Sequence, residues 1–322
     1  MKNNKILITG VAGFIGFSQA IFFLKKNYTV LGIDNLNKYY SSKYKKLRLK
    51  ELKKYKKFFF KKIDISERSK VNNLFKNNNF YYVFHFAAQA GVRYSVINPK
   101  EYILSNIYGF INILNASSKN KIKAIYYASS SSVYGDQKKY PVTEKFNLFP
   151  KNIYAKTKYL NEQIANFYYK KFGISLVGLR LFTVYGKWGR PDMLLFKIFK
   201  SHFKNNSFSL NNSGDHFRDF THIDDVVKII YLIHKKKKLY KNEIFNICSK
   251  NTIYIKKLVL KIKKIINIKY INIPKNKLEV FKTNGENIKI KNEINYRKFN
   301  KINNVLPDLI KWYEKKKIYK YY

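Results

Sequence analysis

Short apolar runs alternate with amphipathic stretches along the first half of the chain. Lys5 to Thr9, Tyr28 to Ile33, Phe58 to Ile63, Phe80 to Phe86, Ile122 to Ala128 and Ile174 to Phe182 are rich in β-branched or aromatic residues and read as six strands. Between them lie stretches with helical spacing of apolar positions. One opens at the glycines after Thr9 and runs to Leu24, a second is a long helix from Pro99 to Ser118 with Asn106 inside it, and a third runs from Asn152 to Phe172 on a Tyr154/Ile164/Phe167/Phe172 pattern. The Lys/Tyr-rich segment Lys38 to Lys57 reads as a solvated helix and loop. Strands and helices in strict alternation predict an α/β chain built on a doubly wound parallel sheet of the Rossmann type. Ligands of such a sheet sit at the carboxyl ends of its strands.

After Phe182 the pattern loosens. Met193 to Phe203 reads as a helix, Asn211 to Asp215 as a turn, and Phe217 to Thr221 as a short strand entering a helix through a capping box, Thr221-His222-Ile223-Asp224. Glu243 to Cys248 reads as a buried strand that rejoins the main sheet. The expected division is therefore a dinucleotide-binding domain over 1–182, to which 224–249 returns, and a smaller interleaved C-terminal α/β substrate domain over 183–322. No Gly-, Ser- or Pro-rich linker separates them, and no internal repeat is visible.

Composition changes this picture in two places. The net charge of +46 invites a nucleic-acid reading, because lysine-rich surfaces bind phosphate backbones without sequence-specific contacts. The excess is spread along the whole chain, however, and comes with Asn, Ile, Tyr and Phe, residues whose codons can be built from A and T alone. A mutational bias explains it more cheaply, and no specific nucleic acid is expected as a partner. The same bias makes arginine informative: seven arginines stand against 58 lysines, and Arg93, Arg180, Arg190 and Arg218 all fall inside motifs. Arginine offers a planar fork of donors that lysine cannot copy, which points to carboxylate or phosphate recognition. The single Cys248 excludes an intrachain disulfide and reads as a packing residue. His85, His202, His216, His222 and His234 show no metal-ligand spacing, so no metal is expected. No apolar run is long enough to span a membrane. Lys2 and Lys5 before Ile6 to Phe17 imitate a signal peptide, but glycines interrupt the run and no cleavage site follows, so a cytoplasmic protein is expected.

Two stretches carry candidate chemistry. Lys5 to Thr9 runs directly into Gly10-Val11-Ala12-Gly13-Phe14-Ile15-Gly16 and then a helix; glycine lets the backbone approach a pyrophosphate, which the free N–H groups of the helix end stabilise. The second strand ends in Asp34, placed to take both ribose hydroxyls, and Asn35-Leu36-Asn37 supplies no cation for a 2′-phosphate, so NAD is favoured over NADP. Asp64-Ile65 ends the third strand near the adenine edge, and the small residues of Ala87-Ala88-Gln89-Ala90-Gly91 leave room for cofactor ribose. The second stretch is Ser129-Ser130-Ser131-Ser132-Val133-Tyr134-Gly135, followed by Tyr154-Ala155-Lys156-Thr157-Lys158. Tyr154 and Lys158, four apart, share one helix face; an ammonium beside a phenol favours the phenolate, and a nearby serine hydroxyl can bridge the phenol to a substrate hydroxyl. In a chain this rich in Tyr and Lys the spacing also arises by accident, so it draws weight from the serine run and the glycine turn.

Together these stretches resemble the extended short-chain dehydrogenase/reductase family, and within it the UDP-glucuronate 4-epimerases. The glycine spacing G-x-x-G-x-x-G and Tyr-x-x-x-Lys identify the superfamily. The narrower signals are Gly32 to Tyr40, the stretch from His85 through Ala90-Gly91-Val92-Arg93-Tyr94-Ser95, and Gly178 to Thr183 continuing to Gly189-Arg190-Pro191-Asp192-Met193. The resemblance implies a bound NAD that is not consumed, with Tyr154 taking the C4 hydroxyl proton of a nucleotide sugar while hydride passes to nicotinamide, and returning it after the keto sugar turns over. It also implies Ser130 as the hydroxyl partner of Tyr154, Lys158 and Asn106 on the cofactor side, Arg93 and Arg218 toward the substrate, with Arg218 on the diphosphate, and a homodimer formed through the Pro99 to Ser118 and Asn152 to Phe172 helices. Two departures stand out: Lys187 replaces a usual proline, and the family's Pro-Gly-Asp-Val near the uridine pocket appears as Lys277-Leu278-Glu279-Val280.

Rivals on the same scaffold are a 4-epimerase of another UDP-sugar, a dehydratase and a decarboxylase. Dehydratases of this kind carry an acid pair before Val-Tyr-Gly and the decarboxylases a glutamate, where this chain has Ser131 and Ser132. A cofactor-sensing or polyanion-binding protein would not need Tyr154, Lys158 and the serines together. If the sugar is a uronate, its carboxylate needs polar contacts, for which Thr183, Arg190, Ser131 and Ser132 are the candidates.

Overall fold

The computed structural model describes residues 5–236 and 238–321; Lys2, invoked above for its charge, lies outside them. In chain order the first part holds β1 (Lys5–Thr9), α1 (Phe14–Lys25), β2 (Thr29–Asp34), α2 (Ser42–Leu52), β3 (Phe58–Lys62), α3 (Arg68–Lys76), β4 (Tyr82–His85), α4 (Tyr94–Ile97), α5 (Pro99–Tyr102), α6 (Gly109–Ser118), β5 (Ala124–Ser130) and α7 (Ile153–Phe172). The second holds β6 (Ser175–Leu181), β7 (Thr183–Tyr185), α8 (Leu194–Lys204), β8 (Ser207–Asn211), β9 (Phe217–His222), α9 (Ile223–Lys235), β10 (Asn242–Ile247), β11 (Thr252–Tyr254), α10 (Ile255–Lys263), β12 (Lys269–Ile273), α11 (Ile288–Ile294) and α12 (Ile302–Lys316).

Seven strands form one sheet in the order β10-β6-β5-β4-β1-β2-β3, every neighbouring pair parallel. The order reverses between β1 and β4, the point where such sheets open a crevice for a ligand. Both faces are covered, and the strand period shows it. On β1, Ile6 and Ile8 pack with Phe14 and Phe17 of α1 and Val226 and Ile230 of α9, whereas Leu7 packs with Val71 and Leu74 of α3 and Ile113 of α6. The other strands form a set β11-β9-β7 and a parallel pair β12-β8, and with α8, α10 and α12 they enclose a third core around Phe196, Phe199, Leu258 and Leu306. This smaller lobe is threaded between β6 and β10, which are hydrogen-bonded to each other in the large sheet.

Four local expectations fail, each for a physical reason. The stretch 38–57 is not solvated throughout: Tyr44, Arg48 and Leu52 of α2 are fully buried, because Tyr44 packs into the core of the smaller lobe. The long helix from Pro99 is interrupted by a π-helical segment, Ile103–Tyr108. Its wider turn draws Asn106 inward, where the Asn106 carbonyl accepts from Asn161 of α7 at 2.6 Å. The cap of α9 is His222, whose Nδ1 accepts from the Asp224 N–H, while the Thr221 hydroxyl accepts from Ser249 instead. Helix α7 forms as expected, yet Phe167 and Phe172 are exposed; its buried stripe is Ala155, Lys158, Glu162, Ala165 and Tyr168.

Candidate active site

The carboxyl ends of the large sheet open into a cleft of ≈ 680 Å³ whose far wall comes from the smaller lobe. At its floor the glycine turn is sterically required. Gly10 has φ +69°, and a Cβ there would lie 2.6 Å from the Ala87 nitrogen; a Cβ on Gly16 would lie 2.2 Å from the Gly10 carbonyl oxygen. No side chain caps α1 at Gly13, so the N–H groups of the first turn, from Phe14 to Gly16, are left to an anion. Asp34 ends β2 in the cleft wall. Its Oδ2 accepts from the Ala12 N–H at 3.1 Å and its Oδ1 from the Leu36 N–H at 2.8 Å, which ties the carboxylate to the turn. Burial pushes the Asp34 carboxyl up, against Lys45, the two N–H donors and Arg48. A helix end for a pyrophosphate and a fixed carboxylate for a ribose diol fit a dinucleotide.

Asn35-Leu36-Asn37 itself supplies no cation. A cation does reach this end of the cleft, from α2: Lys45 Nζ donates to the Asn37 carbonyl at 2.9 Å and to Asn37 Oδ1 at 2.6 Å. Asn35, Ile65, Ala87, Ala88 and Ala90 also line the cleft. Asp64 and Asn106 do not, and stand behind its wall. Asp64 accepts from Asn35 Nδ2 at 2.8 Å and from the Ser66 N–H and hydroxyl, and these bonds outweigh burial to hold its carboxyl low. Asn106 exchanges hydrogen bonds with both backbone groups of Gln89 and donates to the Thr157 hydroxyl, so it shapes the loop that faces the cofactor.

Tyr154, Lys158 and Ser130 all line the cleft. Asn152 caps α7, its Oδ1 accepting from the Ala155 N–H at 2.8 Å, and so orients the first turn that carries Tyr154. Burial pushes the Tyr154 phenol up, opposed by a hydrogen bond with Ser130 and by the nearby Arg190. Lys158 is not what lowers it: its Nζ donates to the Ala128 carbonyl at 2.8 Å, and burial brings it down to about 8. The expected depression of the phenol by the ammonium is absent because both groups are desolvated and the lysine is engaged with the strand. Behind them His85 is lowered to about 3 by burial and then by Lys158, and it is held through Nδ1 by the Thr9 hydroxyl at 2.9 Å. It is a neutral packing group. No cluster of His, Cys, Asp or Glu able to hold a metal occurs among the described residues.

Two arginine clusters occupy the substrate end. Arg93 Nε donates to Glu279 at 2.8 Å, with Arg218 Nη2 3.9 Å from the other Glu279 oxygen. Arg190 meets Asp192 fork to fork, Nε to Oδ1 at 3.0 Å and Nη2 to Oδ2 at 2.5 Å, and the Tyr39 hydroxyl donates to the same carboxylate at 3.1 Å. Burial works against both charges, but each is held ionised by the other. Ser131, Ser132 and Thr183 line the same region. Asp192 and Arg48 are the residues that sequence reasoning missed. Arg48 donates to the carbonyls of Ala12, Trp188 and Gly189 and to the Tyr40 hydroxyl, linking the glycine turn to the loop that carries Arg190. The scarcity of arginine in this chain was the signal that singles it out.

The sequence profile of the NAD dependent epimerase/dehydratase family matches residues 6–248. The chain is 44% identical to protein CapI of Staphylococcus aureus over 233 residues, 72% of this chain and 70% of that one. It is 42% identical to UDP-glucuronate 4-epimerase 4 of Arabidopsis thaliana over 228 residues, 69% of this chain but 52% of the plant protein, so the match spans about half of that relative's length. The crystal structure of UDP-glucuronic acid 4-epimerase from Bacillus cereus in complex with UDP-glucuronic acid and NAD superposes with a TM-score of 0.91 at 28% identity, covering 97% of this chain and 99% of that one.

Proposed function

Because the chain belongs to the NAD dependent epimerase/dehydratase family, we propose that it is an NAD-dependent isomerase that inverts C4 of a nucleotide sugar, converting UDP-glucuronate to UDP-galacturonate. The observation that carries the reading is one cleft holding the glycine turn, Asp34, Ser130, Tyr154 and Lys158, with serines at 131 and 132. When bound, NAD would supply the hydride acceptor and donor. Tyr154 takes the proton from the C4 hydroxyl and gives it back, and Ser130 bridges the phenol to that hydroxyl. Lys158, fixed by the Ala128 carbonyl, is placed to hold the nicotinamide ribose. Hydroxyls at 131 and 132 lack the acidity to protonate a leaving hydroxide, which favours epimerisation over dehydration.

Inversion requires the oxidised sugar to present its other face, so the glycosyl end must be held loosely and the nucleotide end firmly. Arg93, Arg218 and Glu279 form a braced cluster suited to the nucleotide and diphosphate, and Ser131, Ser132, Thr183 and Arg190 are the polar groups for the sugar carboxylate. A homodimer belongs to the same proposal, supported by exposed Ile103, Leu104 and Tyr108 of the π-helical segment and Leu160 and Phe167 of α7. So does a cytoplasmic location. Among the described residues no helix is long and apolar enough to cross a membrane.

The test is to incubate the purified protein separately with UDP-glucuronate, UDP-glucose and UDP-N-acetylglucosamine and to identify products by NMR. Interconversion of UDP-glucuronate and UDP-galacturonate is expected. Turnover of only the neutral sugars, or a 4-keto-6-deoxy product, would overturn the assignment.

A further inference from the structure

Behind the serine run lies a buried polar cluster of which Ser129 alone also lines the cleft. Its centre is Arg180 of β6 and Glu162 of α7, whose side chains are 5% and 6% exposed. Arg180 donates from Nε to Glu162 Oε1 at 2.9 Å and from Nη2 to Oε2 at 2.7 Å. Its Nη1 donates to the Tyr134 hydroxyl at 2.9 Å and to the Glu144 carbonyl at 3.2 Å, and Tyr134 donates on to Asn246 of β10 at 2.6 Å. The Ser129 hydroxyl completes the cluster by donating to Glu162 Oε1 at 2.5 Å.

The placement of these contacts matters more than their number. Glu162 stands four residues beyond Lys158 and eight beyond Tyr154, so the three share one stripe of α7. Two consecutive residues of β5 are hydrogen-bonded to that stripe, Ala128 to Lys158 and Ser129 to Glu162, and the next, Ser130, whose hydroxyl donates to Ser132 Oγ at 3.1 Å, acts on the Tyr154 phenol. Ser129 is also the register partner of Arg180 across the β5–β6 pair. A buried ion pair returns little net stability, since desolvation offsets most of its attraction, so stability is a poor reason for it to exist. A fork-to-carboxylate pair does fix relative geometry, and a chain that uses lysine wherever a point charge suffices has an arginine here.

We propose that Glu162 and Arg180 are positioning residues, which lock α7 against β5 in the one register that lines the Ser130 hydroxyl up with the Tyr154 phenol. The proposal rests on the function proposed above. Arg180→Lys keeps the charge and loses the fork; Glu162→Gln keeps the shape and loses the charge. A double variant, Glu162→Met with Arg180→Met, replaces the pair by apolar side chains and separates positioning from stability. Wild-type turnover of the three UDP-sugars is measured first, and whichever sugar it epimerises serves as substrate for the variants, so failure of the substrate assignment shows in the wild type alone. Arg180→Lys is expected to retain NAD and to bind UDP by calorimetry as the wild type does. Its kcat should fall roughly 10- to 100-fold, as displacement of reacting groups by a fraction of an ångström demands. KM should stay within about threefold. The double variant is expected to have a Tm at or above that of Arg180→Lys and a kcat no higher. A double variant with wild-type kcat, or a series in which kcat follows Tm, would overturn the proposal and leave the pair a structural element only.

Discussion

At the scale of single residues, Arg190 shows how a resident carboxylate changes what a cation can do. Oxidation at C4 of a uronate leaves a ketone β to the carboxylate, a group that loses carbon dioxide when its carboxyl plane turns perpendicular to the carbonyl. Polar contacts that fix the rotation and keep the charge solvated by protein dipoles oppose this, whereas a dry pocket favours it. Arg190 spends Nε and Nη2 on Asp192. The uronate therefore meets a cation that is already oriented by Asp192 and Tyr39. A lysine at this position would pair with Asp192 at a single point and could not hold both carboxylates in a defined plane. Charge-assisted bonds of this kind contribute roughly 1.5 to 3 kcal/mol, so Arg190→Lys should lower kcat/KM at least about tenfold with UDP-glucuronate and little with UDP-glucose. A UDP-pentose by-product should appear in the NMR spectrum. Equal losses on the charged and neutral sugars would assign Arg190 to the diphosphate instead.

At the scale of elements, α7 serves two masters. Its buried stripe carries the acid–base pair, and its outer face shows Phe167, 57% exposed, and Leu160, 43% exposed, one heptad apart. Ile103, 51% exposed, lies on the π-helical segment that contacts α7. Large exposed apolar side chains on two adjacent helical segments are what the proposed homodimer would cover, by a second copy of the same face across a two-fold axis. Leu160→Glu combined with Phe167→Glu should therefore halve the mass seen by light scattering at micromolar concentration, with NAD still bound. A wild-type protein of 38.4 kDa in the same measurement would dispose of the dimer. Helix α7 was legible in the sequence because Tyr154 and Lys158 lie on a helical repeat that Asn152 caps, although the apolar pattern used to find it includes Phe167 and Phe172, which face outward. The π-helical segment was not legible, since nothing local in Ile103 to Tyr108 distinguishes an extra residue per turn; the Asn106 carbonyl within it is bonded to Asn161, on a different helix. Nor was the burial of α2. Its lysines read as solvated, but Arg48 is held by the carbonyls of Trp188 and Gly189, about 140 residues away in sequence.

For the molecule as a whole, the parallel sheet was legible because its strands are short, mostly apolar runs, and three of them, β1, β2 and β5, lead into Gly10, Asp34 and Ser130 at the cleft. The smaller lobe was less so, because β7 and β11 have three residues each and Ile271 of β12 is exposed; β8 does alternate, with Phe208 and Leu210 buried and Ser207 and Ser209 exposed, a signal that sequence reasoning missed. What the whole chain adds to the site is its field. A net charge of +46 surrounds a cleft whose acids are already engaged: Asp192 is paired with Arg190, Glu279 with Arg93, and Asp34 lies near Lys45. The cleft is therefore not an acidic hole in a basic surface, and the potential reaches its mouth with the sign that draws in an anionic nucleotide sugar. Exposed charges act over a Debye length of about 10 Å at 0.1 M salt and about 3 Å at 1 M. Raising the salt should therefore lower kcat/KM for UDP-glucuronate steeply while leaving kcat nearly unchanged, because only the encounter is steered. UDP-glucose, lacking the sugar carboxylate, should show a shallower slope, and heparin at low salt should raise KM without lowering kcat. A kcat/KM that stays flat with salt would mean that the lysines shape solubility alone and that the two arginine clusters capture the substrate unaided.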